Sequence, residues 1–171
     1  MLSLIRYNNI PIFNHKFLYI LYLRNSNIRM KQKDKLNVRL AVKAFIVHKN
    51  KLLIVKRAKD EVHMPEIWEL PGGRLNPGED PFIGIIREIR EETGLYIKPI
   101  LPMAIKHFKR QDGQIITMIV SFCRPIGGHI EISDEHSEIK WVDLNKSKED
   151  LSEFFHKDVD YFYKLRLDRF R

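Results

Sequence analysis

Hydrophobic and polar positions alternate along several short stretches of the chain, and this alternation predicts β-strands. The stretch VRLAVKAFIV, Val38–Val47, fits a strand, and the polar turn HKNK separates it from a second run, Leu52–Val55. Two such runs joined by a short polar turn predict a β-hairpin. Further extended segments are predicted at WELPGG, at Ala104–Phe108, at Ile115–Phe122, and at HIEI and IKWVDL.

A wider spacing of apolar residues predicts two helices. Asp80 and Pro81 form a good helix start, because aspartate caps helices and proline suits their first position. Gly94 is a good end, because glycine readily adopts the left-handed backbone that closes a helix. Between them one apolar stripe is formed by Phe82, Ile85, Ile86 and Ile89. The apolar positions within Lys148–Leu167 predict an amphipathic closing helix.

The order strands, helix, strands, helix predicts an α/β fold in which helices pack against a mixed sheet, rather than a doubly wound parallel sheet. The chain has 171 residues, which suits one domain. Its contents of 44% apolar and 30% charged residues are typical of a globular protein. Cys123 is the single cysteine, so an intramolecular disulfide is excluded. This favours a reducing, cytoplasmic location.

The net charge of +8 is unevenly distributed along the chain. Residues 1–33 contain six lysines and arginines and no acidic residue, which leaves 24 basic and 22 acidic residues in 34–171. We therefore predict a basic leader at 1–33 and a nearly neutral domain at 34–171. Because the excess charge lies in the leader, a general nucleic-acid-binding surface on the domain is not indicated.

The leader contains one apolar run, FLYILYL at Phe17–Leu23, which is too short to span a bilayer. No membrane association is predicted. Two interpretations of the leader remain. An acid-free start that contains arginine is typical of an organelle transit peptide, whereas translation from Met30 would leave residues 1–29 without a role in the fold. We favour the second interpretation.

The predicted helix carries an unusual group of acidic residues. Glu88, Glu91 and Glu92 share one face, opposite the apolar stripe, and like charges at this spacing weaken a helix. Arg87 can pair with Glu91, four residues further on. Three converging carboxylates are the oxygen ligands that Mg²⁺ prefers. The pattern therefore predicts a divalent-metal site.

The segment before the helix, PGGRLNPGED, supports this prediction. Its three glycines permit backbone conformations and close approaches that other residues forbid. A backbone carbonyl of Gly72 can complete a metal shell. Glu79, at the start of the helix, can brace the loop or add a water-mediated ligand. Gly84 stands inside the helix, where it allows close packing against the sheet.

The combined pattern resembles the Nudix box, and no fixed position of that motif is missing. The residues at its fixed positions are Gly73, Glu79, Arg87, Glu88, Ile89, Glu91, Glu92, Gly94 and Leu95. The preceding WELPGG is also typical of the Nudix family. The resemblance is strongest over residues 68–95 and extends more loosely over about 36–165.

The resemblance implies an α/β/α sandwich with a mixed sheet, and hydrolysis of a nucleoside diphosphate linked to another group. It implies Mg²⁺, or Mn²⁺ in its place, held by Glu88, Glu91, Glu92 and the carbonyl of Gly72, with Glu79 as an auxiliary ligand or brace. It implies that Arg87 orients a glutamate. Glu88 and Glu135 are both candidates for the general base.

Roles in substrate binding are assigned more loosely. Lys56 and Arg57 end a strand near the box and can meet substrate phosphates, and Gly73 lies in the same loop. For Lys56 and Arg57 a solvated strand end is an equal alternative. Glu135 and Glu138 can equally be solvated loop acids. His136 more readily packs or hydrogen-bonds locally than acts in catalysis.

The substrate is less well defined. Nudix subgroups for ADP-ribose and for diadenosine polyphosphates often carry a proline or a tyrosine beyond the box, and the corresponding window, His107–Gly113, has neither. We therefore favour a nucleoside triphosphate, with ADP-ribose or another nucleotide sugar as the alternative. A non-catalytic nucleotide- or RNA-binding module and an RNA 5′-end hydrolase are the rival classes. The protein is expected to be a monomer or a homodimer.

Overall fold

The computed structural model describes residues 37–169, and the predicted leader at 1–33 lies outside them. Within these residues there are six strands, three α-helices and three short 3₁₀ helices. The strands are β1 (Val38–His48), β2 (Lys51–Arg57), β3 (Trp68–Glu69), β4 (Leu95–Lys109), β5 (Ile115–Gly128) and β6 (His136–Asp143). The α-helices are α1 (Pro81–Thr93), α2 (Ser147–Asp150) and α3 (His156–Lys164), and the 3₁₀ helices are Leu144–Lys146, Glu153–Phe155 and Leu167–Arg169.

The strands form a mixed sheet, as predicted. Its order is β3-β2-β1-β5-β4, and β6 pairs with β2. Strands β1 and β5 run parallel, while the other pairs are antiparallel. Because β1 is central, residues near its middle lie deep in the molecule.

The predicted hairpin is confirmed at β1 and β2, where Val47 pairs with Leu52. Lys49 and Asn50 have φ values of 47° and 61° at the turn. Two successive left-handed residues match the tight turns that connect antiparallel strands. The turn therefore sets the register in which β2 returns beside β1.

The chain that follows β3 crosses from β2 to β1. Strand β3 pairs with β2, and the next segment bonds to β1 instead. The Ala44 amide donates to the Pro71 carbonyl at 2.8 Å, and the Val42 amide donates to the Gly73 carbonyl at 2.9 Å. We call Pro71–Arg74 the glycine loop. These bonds fix it on the central strand.

Hydrophobic cores lie on both faces of the sheet. Helix α1 contributes Ile85 and Ile89 to one core, with Val42, Ala44, Ile46 and Leu53 among their partners. Helix α3 contributes Val159 and Phe162 to the other, with Phe45, Leu52 and Ile54 among theirs. Full burial of one such side chain contributes about 1.5–3 kcal/mol. The layers are therefore helix, sheet and helix, as the resemblance implies.

The prediction for β4 was too short. Only Ala104–Phe108 was expected, but the strand runs over Leu95–Lys109. It contains Pro99 and Pro102, and proline is unfavourable inside a strand because it lacks an N–H donor. They are accommodated because β4 ends the sheet order and its pairing with β5 shifts register beside both prolines.

The prediction of a strand at HIEI was wrong. Residues 129–132 follow β5 without joining the sheet. The amides of Glu131 and Ser133 donate instead to the carbonyls of Thr93 and Glu92, at 3.0 and 3.2 Å. This segment therefore satisfies carbonyl groups at the C-terminal end of α1.

The prediction of one continuous closing helix was also wrong. The segment Lys148–Leu167 is divided between α2, two 3₁₀ helices and α3. Leu151 has an extended backbone, and both Leu151 and Ser152 have ψ values of 137°, which no helix has. The Ser152 amide donates to the Trp68 carbonyl at 2.9 Å, so a bond to the sheet replaces a bond within a helix. No helix within residues 37–169 is both long and apolar enough to cross a bilayer.

Candidate active site

Helix α1 begins and ends where predicted, which fixes the direction of its carboxylates. Asp80 caps the helix by accepting hydrogen bonds from the amides of Phe82 and Ile83, at 2.8 and 3.2 Å. Gly94 ends it with a φ of 69°. Ile85 and Ile89 face the core, but Phe82 and Ile86 of the predicted stripe are exposed.

The predicted placement of all three glutamates opposite the apolar stripe is wrong for one of them. Glu92 is buried on the same side of the helix as Ile85 and Ile89, because it lies seven and three residues after them. Glu88 is half-buried and Glu91 is exposed.

Arg87 gathers three of the predicted site glutamates. Its Nε and Nη2 donate to the two oxygens of Glu79 at 2.8 and 2.7 Å. Its Nη1 donates to Glu88 Oε1 at 2.8 Å and to Glu91 Oε2 at 3.0 Å. The predicted pair with Glu91 is therefore present, and Glu79 and Glu88 share the same guanidinium. This side chain orients the carboxylate group as a unit.

Glu79 joins the helix to the loop before it. Besides its bonds to Arg87, it accepts a 2.8 Å hydrogen bond from the Asn76 amide. The hydrogen bonds from Arg87 and Asn76 lower the pKa of Glu79 to about 2. A Cβ added at Gly84 would lie 2.2 Å from Leu75 Cδ2. Gly84 therefore makes room for Leu75 in the loop before the helix, whereas the prediction was close packing against the sheet.

Glu92 contacts the glycine loop directly. Its carboxylate is buried and accepts a 2.6 Å hydrogen bond from the Gly72 amide. Burial raises the pKa of Glu92 to about 7, although the charge of Lys43 and the Gly72 bond oppose the rise. The contact is made by the N–H of Gly72, so the predicted role of its carbonyl as a metal ligand stays a prediction.

Glu88 lies against Gly73. A Cβ added at Gly73 would come within 2.4 Å of Glu88 Oε2, so only glycine leaves room for the carboxylate there. Burial raises the pKa of Glu88, and the charges of Glu91 and Glu135 contribute to the rise. Glu135 is exposed and follows a loop, yet its charge acts at the helix. The charge of Glu135, one candidate base, therefore contributes to the raised pKa of Glu88, the other candidate.

The predicted phosphate contacts are engaged with protein groups. Lys56 Nζ donates to Glu138 Oε1 at 2.8 Å. The Arg57 guanidinium bonds to Glu61, to Glu69 at 3.0 Å and to the His63 carbonyl at 2.8 Å. Their predicted roles in substrate binding stay predictions, but Arg57 also has a clear structural role.

His136 packs locally, as expected. Its side chain is buried, and its Nδ1 lies 3.3 Å from the Ser133 hydroxyl. Its Nε2 has no hydrogen-bond partner among the described residues. Burial lowers the pKa of His136 to about 4, and the charge of Lys43 acts in the same direction. The ring is therefore neutral near pH 7.

A buried ion pair beside the site was not anticipated. Lys43 on β1 and Glu69 on β3 are both buried, and their charged atoms are 3.1 Å apart. Burial opposes ionisation of Glu69, but the charges of Lys43 and Arg57 outweigh it and lower the pKa of that carboxyl. The available signal was Lys43 itself, a lone charged residue inside the apolar run AVKAFIV.

The chemistry of the donor set fits a hard divalent cation, which takes oxygen ligands. Burial disfavours the ionised forms of Glu88 and Glu92, and nearby carboxylates add to the effect at both, so a cation would stabilise both. Within residues 37–169, however, no three acidic, His or Cys side chains are already arranged around one ion position. The side chain of Glu91 is 60% exposed, which leaves it room to reorient.

A separate cleft of about 470 Å³ lies between the β1–β2 turn and the C-terminal elements. Its lining includes His48, Asn50, Phe162 and Leu167. None of the predicted site residues lines it, so the cleft is distinct from the acidic site.

The fold and the site together define a class. It is an α/β/α domain in which a glycine loop on the central strand leads into a helix that bears grouped carboxylates. The family model described as the NUDIX domain matches residues 37–163. The chain belongs to the Nudix hydrolase family.

Individual relatives differ in their names. The chain is 33% identical over 108 residues to a protein of Methanocaldococcus jannaschii named ADP-ribose pyrophosphatase, and the match covers 62% of each chain. It is 30% identical over 105 residues to a MutT-like protein of Streptomyces ambofaciens, covering 61% of this chain and 63% of that one. The matches therefore span less than two thirds of the length of these relatives.

A solved structure of similar fold is the MutT protein of Methanosarcina mazei Go1. The two share 27% sequence identity and a TM-score of 0.64, and the match covers 78% of this chain and 96% of the other. The similarity therefore extends over nearly the whole of that protein.

Proposed function

We propose that the chain is a metal-dependent hydrolase that cleaves the pyrophosphate linkage of a nucleotide, with a nucleoside triphosphate as the preferred substrate class. The observation that carries the proposal is the convergence of Glu79, Glu88 and Glu91 on the single guanidinium of Arg87. An arrangement that concentrates acidic groups in this way suits cation binding next to phosphate oxygens.

Mg²⁺, or Mn²⁺ in its place, would be held by Glu88, Glu91 and Glu92, with the Gly72 carbonyl as a further ligand. When bound, the ion would neutralise phosphate charge and lower the pKa of water at the site. Glu79 would brace the loop through its bonds to Asn76 and Arg87. The location of the protein in the cytoplasm and its oligomeric state stay predictions.

The protein residues have separable roles in this proposal. Arg87 orients Glu88 and Glu91, which it bonds at 2.8 and 3.0 Å. Either Glu88 or Glu135 accepts the proton of the attacking water. Glu88 is the more confined because it is held against Gly73, whereas Glu135 is exposed. Hydrolysis of a nucleoside triphosphate at its α-phosphorus would consume one water and yield a nucleoside monophosphate and pyrophosphate.

ADP-ribose is the second candidate substrate, because a relative with 33% identity carries the name ADP-ribose pyrophosphatase. A nucleotide-binding module without activity is the rival class. Every glutamate of the box is retained in this chain, which supports an enzyme. Lys56, Arg57 and Gly73 are the proposed contacts of the substrate phosphates.

The test is to incubate the full chain with Mg²⁺ and a panel of nucleoside triphosphates, ADP-ribose and nucleotide sugars, and to measure released phosphate and pyrophosphate. We expect pyrophosphate release from a triphosphate, and its loss in a double variant, Glu91→Gln with Glu92→Gln. The matched control is Glu149→Gln with Glu153→Gln, because both residues are exposed and the change in net charge is the same. Activity that survives in the first double variant would refute the assignment of the site.

A further inference from the structure

A chain of alternating charges, buried at Lys43 and Glu69 and half-buried at Arg57, connects the strand under the glycine loop with the loop Ala58–Ile67. Lys43 Nζ lies 3.1 Å from Glu69 Oε2, and Arg57 Nη1 donates to Glu69 Oε1 at 3.0 Å. Only 6% of Lys43 and 7% of Glu69 is exposed. We call Lys43, Glu69 and Arg57 the Glu69 relay. Taking charges out of water is costly, so a buried relay at this position calls for an explanation.

The Arg57 end of the relay organises the loop Ala58–Ile67. Its Nη2 bonds to Glu61, and its Nε donates to the His63 carbonyl at 2.8 Å. Its backbone amide donates to the Ile67 carbonyl at 3.0 Å, which closes the base of the loop. One side chain therefore holds the loop at two points and is itself held by Glu69.

The Lys43 end lies under the glycine loop. Its neighbours in β1, Val42 and Ala44, donate their amide hydrogens to carbonyls of the glycine loop at 2.9 and 2.8 Å. A Cβ added at Gly72 would be 3.1 Å from Lys43 Cα, so the two backbones are in close contact. The relay thus joins the loop Ala58–Ile67 to the strand that carries the glycine loop, and the glycine loop in turn bonds to Glu92 of the carboxylate helix.

The loop Ala58–Ile67 has features of a binding segment. Met64 and Glu66 have φ values of 49° and 60°, which are unfavourable for residues with a side chain. Such conformations persist where the surrounding structure enforces them, and they concentrate at functional sites. The tip also exposes apolar side chains, with Val62 85% and Met64 61% exposed.

We propose that Lys43 and Glu69 are positioning residues that hold the loop Ala58–Ile67 in the conformation required for nucleotide binding. The link to nucleotide binding rests on the proposed function, whereas the effect on the loop does not. Glu69 is the central member because it is the shared partner of both cations. A Glu69→Gln change keeps the side-chain shape but leaves the buried Lys43 and the half-buried Arg57 without their common carboxylate.

The test compares the full-length wild-type protein with Glu69→Gln by hydrogen exchange and by kinetics. We expect amides of 58–67 to exchange about tenfold faster or more, with α1 unchanged, because local opening becomes easier. We expect KM for the best nucleotide to rise about tenfold and kcat to change less than about threefold, since uniform binding is lost.

Two further variants separate positioning from general stability. Lys43→Arg keeps the ion pair and should retain the hydrogen exchange and the KM of the wild type. Lys43→Met removes the ion pair and should resemble Glu69→Gln. Asp158→Asn is the matched control, because it removes another buried ion pair, with Lys106, on the opposite face. It should lower the thermal midpoint without changing exchange at 58–67 or KM.

The outcomes are decisive in each direction. Unchanged exchange at 58–67 in both Glu69→Gln and Lys43→Met would overturn the proposal, and so would a uniform increase in exchange along the whole chain. If the wild type hydrolysed no nucleotide but Glu69→Gln still released the loop, the proposed function would fail and the positioning role would stand.

Discussion

The Gly72 amide donates a 2.6 Å hydrogen bond to the carboxylate of Glu92, which lies 20 residues further along the chain. This bond joins the two parts of the Nudix box, the glycine loop and the helix. Because Gly72 has a φ of 121° and its backbone packs on Val42, the donor is fixed in place. The position of the buried carboxylate is therefore set from two directions, by its helix and by the loop.

Gly73→Ala should separate activity from stability. The added Cβ would lie 2.4 Å from Glu88 Oε2, the flexible end of a side chain, so Glu88 can move away at a stability cost of about 1 kcal/mol. Because the carboxylate would leave its position, we expect kcat to fall about tenfold or more. Steady-state kinetics and urea unfolding provide the two measurements.

The control for this change is Gly127→Ala, where the nearest atom to an added Cβ is 3.8 Å away and φ is not left-handed. It should leave kcat unaltered. If Gly73→Ala kept full activity, Glu88 would not need the position that it has in the structure.

Arg87→Lys should reduce activity although the charge is kept. The guanidinium makes two bonds to Glu79 and one each to Glu88 and Glu91, and an ammonium cannot reproduce this planar geometry. Loss of a residue that orients metal ligands typically lowers metal affinity or activity about 10–100-fold. The measurement is the Mg²⁺ concentration for half-maximal activity.

The matched control is Arg110→Lys, which alters another arginine bonded to a carboxylate, that of Asp112, outside the acidic site. Equal Mg²⁺ dependence in Arg87→Lys and wild type would show that Arg87 does not organise the ligands.

Glu92→Gln should make the metal-free protein more stable than the wild type, and this difference in stability should grow as the pH rises. The pKa of Glu92 is raised to about 7, so its favourable contribution to folding is complete below about pH 4.5 and is lost as the pH rises to about 7. Glutamine keeps an acceptor for the Gly72 amide and has no charge to bury. Between pH 4.5 and 8 the variant should gain about 3 kcal/mol relative to the wild type.

The measurement is urea unfolding of both proteins in EDTA at pH 4.5 and 8. Comparing two proteins is necessary because His136 acts in the opposite direction. Its pKa is lowered to about 4, so its contribution is present above pH 6.5 and is lost as the pH falls toward 4. Both proteins contain His136, so its effect cancels in the difference. A variant that lost stability at pH 8 would contradict the account.

Lys106→Met should strongly destabilise the domain. Asp158 is fully buried in α3, and Lys106 Nζ lies 2.7 Å from its Oδ2. Burial raises the pKa of Asp158, which Lys106 opposes. Removing one partner of a buried pair costs about 3–5 kcal/mol, because a charge is left without compensation. Thermal unfolding at pH 7.5 measures the loss of stability. A loss of less than about 1 kcal/mol, which is typical of exposed ion pairs, would contradict the prediction.

The double variant Lys106→Met with Asp158→Asn provides the control. It removes both charges and should recover part of the lost stability. A double variant less stable than Lys106→Met alone would show that the charge of Asp158 is not the cause.

The acidic helix could be predicted from the sequence because its signals are local. Asp80, Pro81 and Gly94 define its ends, although the predicted separation of apolar and acidic faces fails at Glu92, which is buried. The interruption of the closing helix could not be predicted, because the Ser152 amide bonds to Trp68, a residue distant in sequence. Local patterns carry little information about such partners.

The buried relay shows the same limit within the site. Lys43 can be recognised as unusual in an apolar strand, but its partner Glu69 lies 26 positions away and is brought near by the crossing of the chain between β2 and β1. Glu69 in turn bonds to Arg57, for which the sequence analysis predicted either a substrate-phosphate contact or a solvated strand end. Which charges meet therefore depends on the topology of the sheet.

Binding of Mn²⁺ to the full chain, followed by electron paramagnetic resonance without any nucleotide, is the most direct test of the central claim that the carboxylates of α1 hold a divalent cation. We expect Glu91→Gln with Glu92→Gln to weaken binding about tenfold or more, and Glu149→Gln with Glu153→Gln to leave it unchanged. Equal Mn²⁺ affinity in the wild type and both double variants would contradict the account.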